Sequence, residues 1–186
     1  MLETIFRTDF EILEFISENL RCGFMDVLMK LFTYAGNWGI LWIAITIVLL
    51  ISKKHRRLGI TMAIGLILCL GIGNLLLKPL VGRDRPFIID PRIVTIISPP
   101  SGYSFPSGHT FSSFTSAAII AMHSRKTGIY AIAAAVFIGF SRLYFCVHFP
   151  SDVLCGAVFG VITGVTVYRI MNRKPKGDIP KESSES

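Results

Sequence analysis

The sequence has few charges, and long stretches of it have none. Only 17% of its 186 residues are Asp, Glu, Lys or Arg, and nearly all of these sit in the gaps between apolar runs. That clustering is how a chain reads when lipid is its solvent. The 52% apolar content and the mean hydropathy of +0.59 would not by themselves separate it from a soluble domain. Paired cysteines are also missing. Cys22, Cys69, Cys146 and Cys155 lack the close spacing of a zinc or redox site. They are expected to be small membrane-packed residues, with a Cys146–Cys155 bridge left open. After Met1-Leu2-Glu3 there is no basic n-region or short apolar h-region, so the first apolar segment is expected to stay in the mature protein. There is no internal repeat. Beyond two histidines, His109 and His148, no cluster of oxygen or His/Cys ligands stands out, and no metal or other cofactor is expected. The net charge of +7 would suit nucleic acid. The cations, however, fall in short loops between apolar runs, which fits topology signals and a phosphate site and gives no nucleic-acid surface.

Residues 2–20 carry Phe6, Phe10, Leu13, Ile16 and Leu20 at helical spacing, with Asp9, Glu11, Glu14 and Glu18 between them. This predicts an amphipathic helix, too charged to span, lying in the membrane interface. Residues 24–35 predict a short apolar helix interrupted by Asp26 and Lys30, and Gly36-Asn37 predicts a break. Five apolar segments follow: Trp38–Ser52, Leu58–Leu77, Pro106–Met122, Thr127–Phe145 and Pro150–Met171. They lie near the roughly 20 residues that cross a bilayer core, and the short first one can extend back through the preceding helix. The expected fold is an all-α integral membrane protein with about five to six transmembrane helices plus the interfacial N-terminal helix. Residues 1–171 are expected to form one membrane domain, with 1–36 as the N-terminal short helices and 38–171 as the transmembrane core. Residues 172–186 read as a disordered polar tail.

Alternating spans place three basic groups on one side. These are Lys53, Lys54, Arg56 and Arg57; Arg125 and Lys126; and Arg169, Arg173, Lys174, Lys176 and Lys181. They account for eleven of the nineteen Lys and Arg, and the positive-inside rule makes that side cytoplasmic, with the C-terminus. The opposite face receives the loop 78–105, the start of the third span at 106–109, and the short loop 142–149.

That face holds the residues suited to chemistry. A phosphate ester is an anion whose charge must be offset before a nucleophile approaches. Arg85 and Arg142 are suited to clamp its oxygens with bidentate forks, and Lys78 adds a point charge. Ser107 and Gly108 follow Pro106 at a helix start, where free backbone N–H groups and the helix dipole favour an anion. His148 and Asp152 are four residues apart, one helical turn. A carboxylate there can take the Nδ1 proton and leave Nε2 as the nucleophile. His109, from another span, is then available as general acid and later as base toward water. Asp84 puts a negative charge among these cations and is expected to pair with Arg83 or Arg85. Arg83 and Arg92 are read as headgroup anchors, and the Ser/Thr stretch 110–116 as helix-packing glue.

Three blocks carry these residues: Lys78 through Arg85-Pro86, Pro106-Ser107-Gly108-His109, and Ser141-Arg142 through His148 to Asp152. In spacing and order they resemble the motif of the type 2 phosphatidic acid phosphatase family: Lys-x6-Arg-Pro, Pro-Ser-Gly-His and Ser-Arg-x5-His-x3-Asp. The resemblance covers Leu58 to Met171. It implies a membrane phosphatase that forms a phosphohistidine on His148, with Asp152 as its partner and His109 as acid. Lys78, Arg85, Ser107, Gly108 and Arg142 would bind phosphate, and no metal would be needed. It also implies a lipid phosphate or diphosphate as substrate, first undecaprenyl diphosphate, then phosphatidylglycerophosphate or phosphatidic acid. Residues 1–36 depart from the family's six full spans. A non-catalytic lipid-phosphate binder or transporter would use the same cations but would not need His109 or the His148–Asp152 pair. The soluble vanadate-dependent haloperoxidases share the motif, and this chain is not soluble.

Overall fold

A computed structural model describes residues 2–173. Most of the tail expected at 172–186 therefore lies outside the described residues. The described residues are helical, with nine α-helices and no strand among them: α1 Leu2–Asn19, α2 Gly23–Gly36, α3 Ile40–Ile51, α4 Arg56–Cys69, α5 Lys78–Val81, α6 Pro86–Ile89, α7 Gly108–His123, α8 Arg125–Tyr144 and α9 Pro150–Met171.

Four runs are long and apolar enough to cross a membrane: Gly23–Ile51, Arg56–Ile89, Arg125–Tyr144 and Pro150–Met171. The first joins α2 to α3, as the extension of the short Trp38–Ser52 segment anticipated. The break at Gly36-Asn37 is a bend, made by Trp38 and Gly39 at φ of 54° and 70°. The second run contains a π-helical segment, Leu70–Leu77, between α4 and α5. Gly82, at φ 60°, ends α5 in the left-handed conformation that glycine adopts without penalty. Helix α7, where the span Pro106–Met122 was expected, has 16 residues, short of the roughly 20 that cross a bilayer core, and lies between α4, α8 and α9.

The tightest packing is between α7 and α9. Gly156, Gly160 and Gly164 stand one turn apart on α9, and a Cβ on Gly160 would lie 2.7 Å from the Phe111 carbonyl oxygen. Small residues at that spacing let two backbones touch, the usual solution where lipid gives helices no hydrophobic drive to associate. Thr115 donates to the Gly160 carbonyl at 3.1 Å across the seam, so the Ser/Thr stretch of α7 serves packing. A second core joins Trp42, Met62, Ile119, Ala135 and Ile138, all essentially buried, with Trp42 Nε1 donating to Ser113 Oγ at 2.8 Å. Ile43, Ile47 and Val48 on α3 and Leu154, Val158 and Ile162 on α9 point outward and are exposed. Such a surface suits lipid rather than water.

The ends of the bundle differ. Arg57 donates to the Met171 carbonyl, and the His55 and His123 rings are 6.1 Å apart, so the basic loops around 52–57, 123–126 and 171–173 share one end. Residues 78–105 and 144–150 lie at the other. Helix α1 docks on that second end, burying Leu13 and Ile16 as its pattern predicted. It also buries Asp9, which the pattern assigned to a solvent face. All four cysteines are free thiols, so the Cys146–Cys155 bridge is not formed.

Candidate active site

Pro150 opens α9 and keeps Phe149 extended, at φ −78° and ψ 153°. The turn before it is tight, with Cys146 at a positive φ of 51°, the Val147 N–H on the Arg142 carbonyl at 3.1 Å, and His148 folded inward with 2% exposure. One turn into α9, Asp152 is fully buried. Its Oδ2 accepts from the Phe149 N–H at 2.9 Å, which caps the helix, and from the Ser104 hydroxyl at 2.5 Å.

His148 Nδ1 lies 3.7 Å from Asp152 Oδ2, beyond a hydrogen bond. The direct contact expected from the four-residue spacing is therefore mediated. With two donors already on Oδ2, the ring turns to Ser104, whose Oγ is 3.3 Å from Nδ1. Ser104 has one proton, given to Asp152, so its oxygen accepts from Nδ1–H. Nε2 is then the lone pair, and it faces Arg85 Nη1 at 3.2 Å. Burial pushes the His148 pKa from 6.5 down to about 3; Asp152 pulls the other way, while Arg85 and Arg142 reinforce the burial. The imidazole is thus neutral at ordinary pH, as a nitrogen nucleophile must be.

Arg85 is not a free fork. It donates to the carbonyls of Gly102 at 2.8 Å and Val147 at 2.9 Å and, more loosely, to those of Ser101 and Tyr103. These contacts pin the 101–103 loop and the 144–148 turn around it and leave the donor facing His148 as the one nearest the chemistry. Arg142, buried at the end of α8, donates through Nη1 to Thr33 Oγ1 of α2, while its Nε has no partner. Lys78, half-buried at the start of α5, is close enough to Arg85, Arg142 and His109 for their charges to act on one another.

Ser107 caps α7, its Oγ accepting from the Thr110 N–H at 3.5 Å and from the Thr110 hydroxyl at 2.9 Å, and its own N–H goes to the Asp152 carbonyl at 3.1 Å. The N–H groups of Gly108 and His109 are left at the helix start, where helix geometry offers them no acceptor. His109 Nε2 meets Asn37 Oδ1 at 2.8 Å; with a carbonyl oxygen as acceptor, Nε2 carries the proton. Gly36 makes room for this ring, since a Cβ there would lie 2.8 Å from His109 Cδ2.

The structure thus gathers Lys78, Arg85, Gly108, His109, Arg142, His148 and Asp152 at one end, with Ser107 alongside as a cap. Four contributors were not legible as such: Ser104 and Asn37 looked like loop residues, Asp9 like a solvated charge, and Arg83 like a headgroup anchor. Arg83 does not pair with Asp84, which is exposed. It reaches inward to Asp152 Oδ1 and Asp9 Oδ2, each at 2.7 Å, because two buried carboxylates offer it more than one exposed neighbour. Arg92 remains a surface residue, paired with Asp90.

The sequence is 35% identical over 120 residues to an undecaprenyl-diphosphatase of Sulfolobus acidocaldarius, an overlap of 64% of this chain and 58% of that protein. The chain therefore spans under three fifths of that relative. It is 27% identical over 184 residues to a lipid A 4'-phosphatase of Bacteroides thetaiotaomicron, covering 93% of this chain and 81% of the other. Its fold superposes with a TM-score of 0.77 on a crystal structure described as a transmembrane PAP2 type phosphatidylglycerolphosphate phosphatase from Bacillus subtilis, at 22% identity, over 94% of this chain and 90% of that one. With four apolar runs of spanning length, the chain is a multi-pass membrane protein. The sequence profile of the PAP2 superfamily matches residues 56–176, well over half of the chain and all three motif blocks, and the protein belongs to that superfamily.

Proposed function

We propose that the protein is a lipid phosphatase, with 1–171 acting as one domain, that hydrolyses a membrane-bound phosphate or diphosphate through a phosphohistidine on His148. The observation that carries this reading is the environment of His148: a neutral ring whose Nδ1–H is backed by Ser104 and Asp152 and whose Nε2 lone pair faces a guanidinium. Nε2 attacks phosphorus while the bond to the leaving oxygen breaks. Lys78, the Nη1 of Arg85, the free Nε of Arg142 and the N–H groups of Gly108 and His109 spread the charge of the transferring phosphoryl group. Ser107 holds the helix start that presents those N–H groups. His109 acts as the imidazolium, its Nε2–H kept on Asn37: it gives the Nδ1 proton to the leaving oxygen, then takes one at Nδ1 from the water that attacks phosphohistidine, releasing inorganic phosphate. The side chains supply the positive charge, and the reaction is proposed to need no metal.

The substrate proposed first is undecaprenyl diphosphate, cleaved to undecaprenyl phosphate, in keeping with the name of the Sulfolobus relative. The alternatives are phosphatidylglycerophosphate and phosphatidic acid, with lipid A added because that relative matches nearly the whole chain. The site is proposed to open on the extracytoplasmic face, since the basic loops gather at the other end of the bundle. Detergent-purified protein assayed in EDTA against these lipids is expected to release phosphate from at least one, and His148→Ala to abolish release, by about 10⁴-fold or more for loss of a covalent nucleophile. An unimpaired His148→Ala enzyme, or activity lost in EDTA and restored by a divalent cation, would overturn the mechanism.

A further inference from the structure

Helix α1 lies outside the family match, yet it reaches the site. Asp9 is 3% exposed. Its Oδ1 accepts from the Ser151 N–H at 2.9 Å and its Oδ2 from the Ser151 hydroxyl at 2.5 Å, so one helix caps the amino end of another. The same Oδ2 takes Arg83 Nη2 at 2.7 Å. The other end of that guanidinium donates to Asp152 Oδ1 at 2.7 Å and to Ser151 Oγ at 2.7 Å. Its plane is held on the Phe149 ring, 4.0 Å from the centroid, with Phe6 of α1 at 5.4 Å. An unbroken line therefore runs from Asp9 through Arg83, Asp152 and Ser104 to His148.

We propose that Asp9 and Arg83 are positioning residues for His148, acting through Asp152. This rests on the phosphatase reading given above. Arg83 fixes Oδ1 of Asp152, which aims Oδ2 at Ser104 and so sets the proton on Nδ1. A lone guanidinium so close would also cancel the negative potential that Asp152 offers an imidazole gaining positive character on phosphorylation. Asp9 offsets it: two carboxylates around one guanidinium leave a net charge of −1 behind the nucleophile. Helix α1 is thus part of the catalytic arrangement as well as a membrane-surface element.

The test uses the full chain in detergent, at temperatures well below its unfolding midpoint, with the best lipid found for the wild type. Asp9→Asn keeps the shape and removes the charge; kcat is expected to fall about 10-fold with KM within about 2-fold. Asp9→Glu is expected to retain most of the kcat. Glu11→Gln, the same charge loss on an exposed face of α1, is expected to leave kcat and KM unchanged. In an Arg83→Met background, Asp9→Asn is expected to add less than about 2-fold, because its effect has lost its carrier. Equal 10-fold effects in both backgrounds, a change in KM alone, or wild-type kcat in Asp9→Asn would overturn the proposal while leaving the phosphatase reading intact. If Asp9→Asn does not fold, Arg83→Lys decides: its kcat is expected to fall about 10-fold with KM within about 2-fold, and a wild-type kcat counts against the proposal. A wild type that releases no phosphate from any lipid removes the phosphatase reading, and this proposal falls with it.

Discussion

Residues 56–173 and residues 2–51 contribute to the site in different ways. The first region carries Lys78, Arg85, His109, Arg142, His148 and Asp152, and all of it lies within the family match. The second carries none of the motif, yet it gives hydrogen-bond partners to the first, among them Asp9 to Arg83, Thr33 to Arg142, Asn37 to His109 and Trp42 to Ser113. A set of reactive groups can thus be complete as a list and still depend on another region for its aim. Four variants would break or sharpen that division.

The largest effect is expected from Gly160→Leu, inside the matched region. Its side chain would meet the α7 backbone at Phe111 and Thr115, where neither helix can retreat, and the cost is expected to be about 3 kcal/mol or more. Thermal unfolding in detergent should show a large drop in midpoint.

Acid should come next. The folded-state pKa of His148 is about 3, below the roughly 6.5 of an unfolded histidine, so between these values the unfolded chain binds the extra proton. Stability is then complete above about pH 6.5 and is lost as pH falls, at about 1.4 kcal/mol per pH unit from this residue. Unfolding midpoints measured from pH 7 to pH 4 should fall less steeply in His148→Gln; an unchanged slope would count against a neutral buried ring.

Asn37→Ala is expected to behave the opposite way to Gly160→Leu. It should leave the unfolding midpoint nearly unchanged and lower kcat about 10-fold, since His109 loses the acceptor that fixes its proton. Steady-state assays together with melting curves separate the two effects, and wild-type kcat would show that the Asn37 acceptor is dispensable. The smallest change is expected for Thr33→Val, a KM increase of about 3-fold as Arg142 loses one anchor.

What could be read from the sequence follows the same division. The three blocks announce their groups because spacing along one or two helices is local information: Asp152 four residues after His148, Ser107 and Gly108 at a helix start. The partners are non-local. Arg83 meets Asp9 across 74 positions and Asn37 meets His109 across 72, distances over which periodicity says nothing. Asp9 misled for a specific reason. An amphipathic pattern sorts charges to the solvent side, and here one carboxylate goes inward to a guanidinium and a helix end. Arg85 misled differently: a bidentate fork is its general habit, but the chain folds four carbonyls onto it. The apolar pattern located four runs of spanning length, while the expected span Pro106–Met122 became the shorter α7, whose 16 residues are rich in Ser and Thr. The π-helical turn at Leu70–Leu77 has no sequence signature of comparable strength.

The bend at 36–39 also gives the molecule an optical property. The chain has two tryptophans, and they report on opposite surroundings: Trp42 is 1% exposed and Trp38 is 91% exposed, one residue from the partner of His109. In a Trp42→Phe background, all tryptophan emission comes from the rim of the candidate site. Its wavelength and its quenching by iodide or by brominated lipid then follow lipid arrival directly, without a label, and in a His148→Ala protein that cannot turn the lipid over.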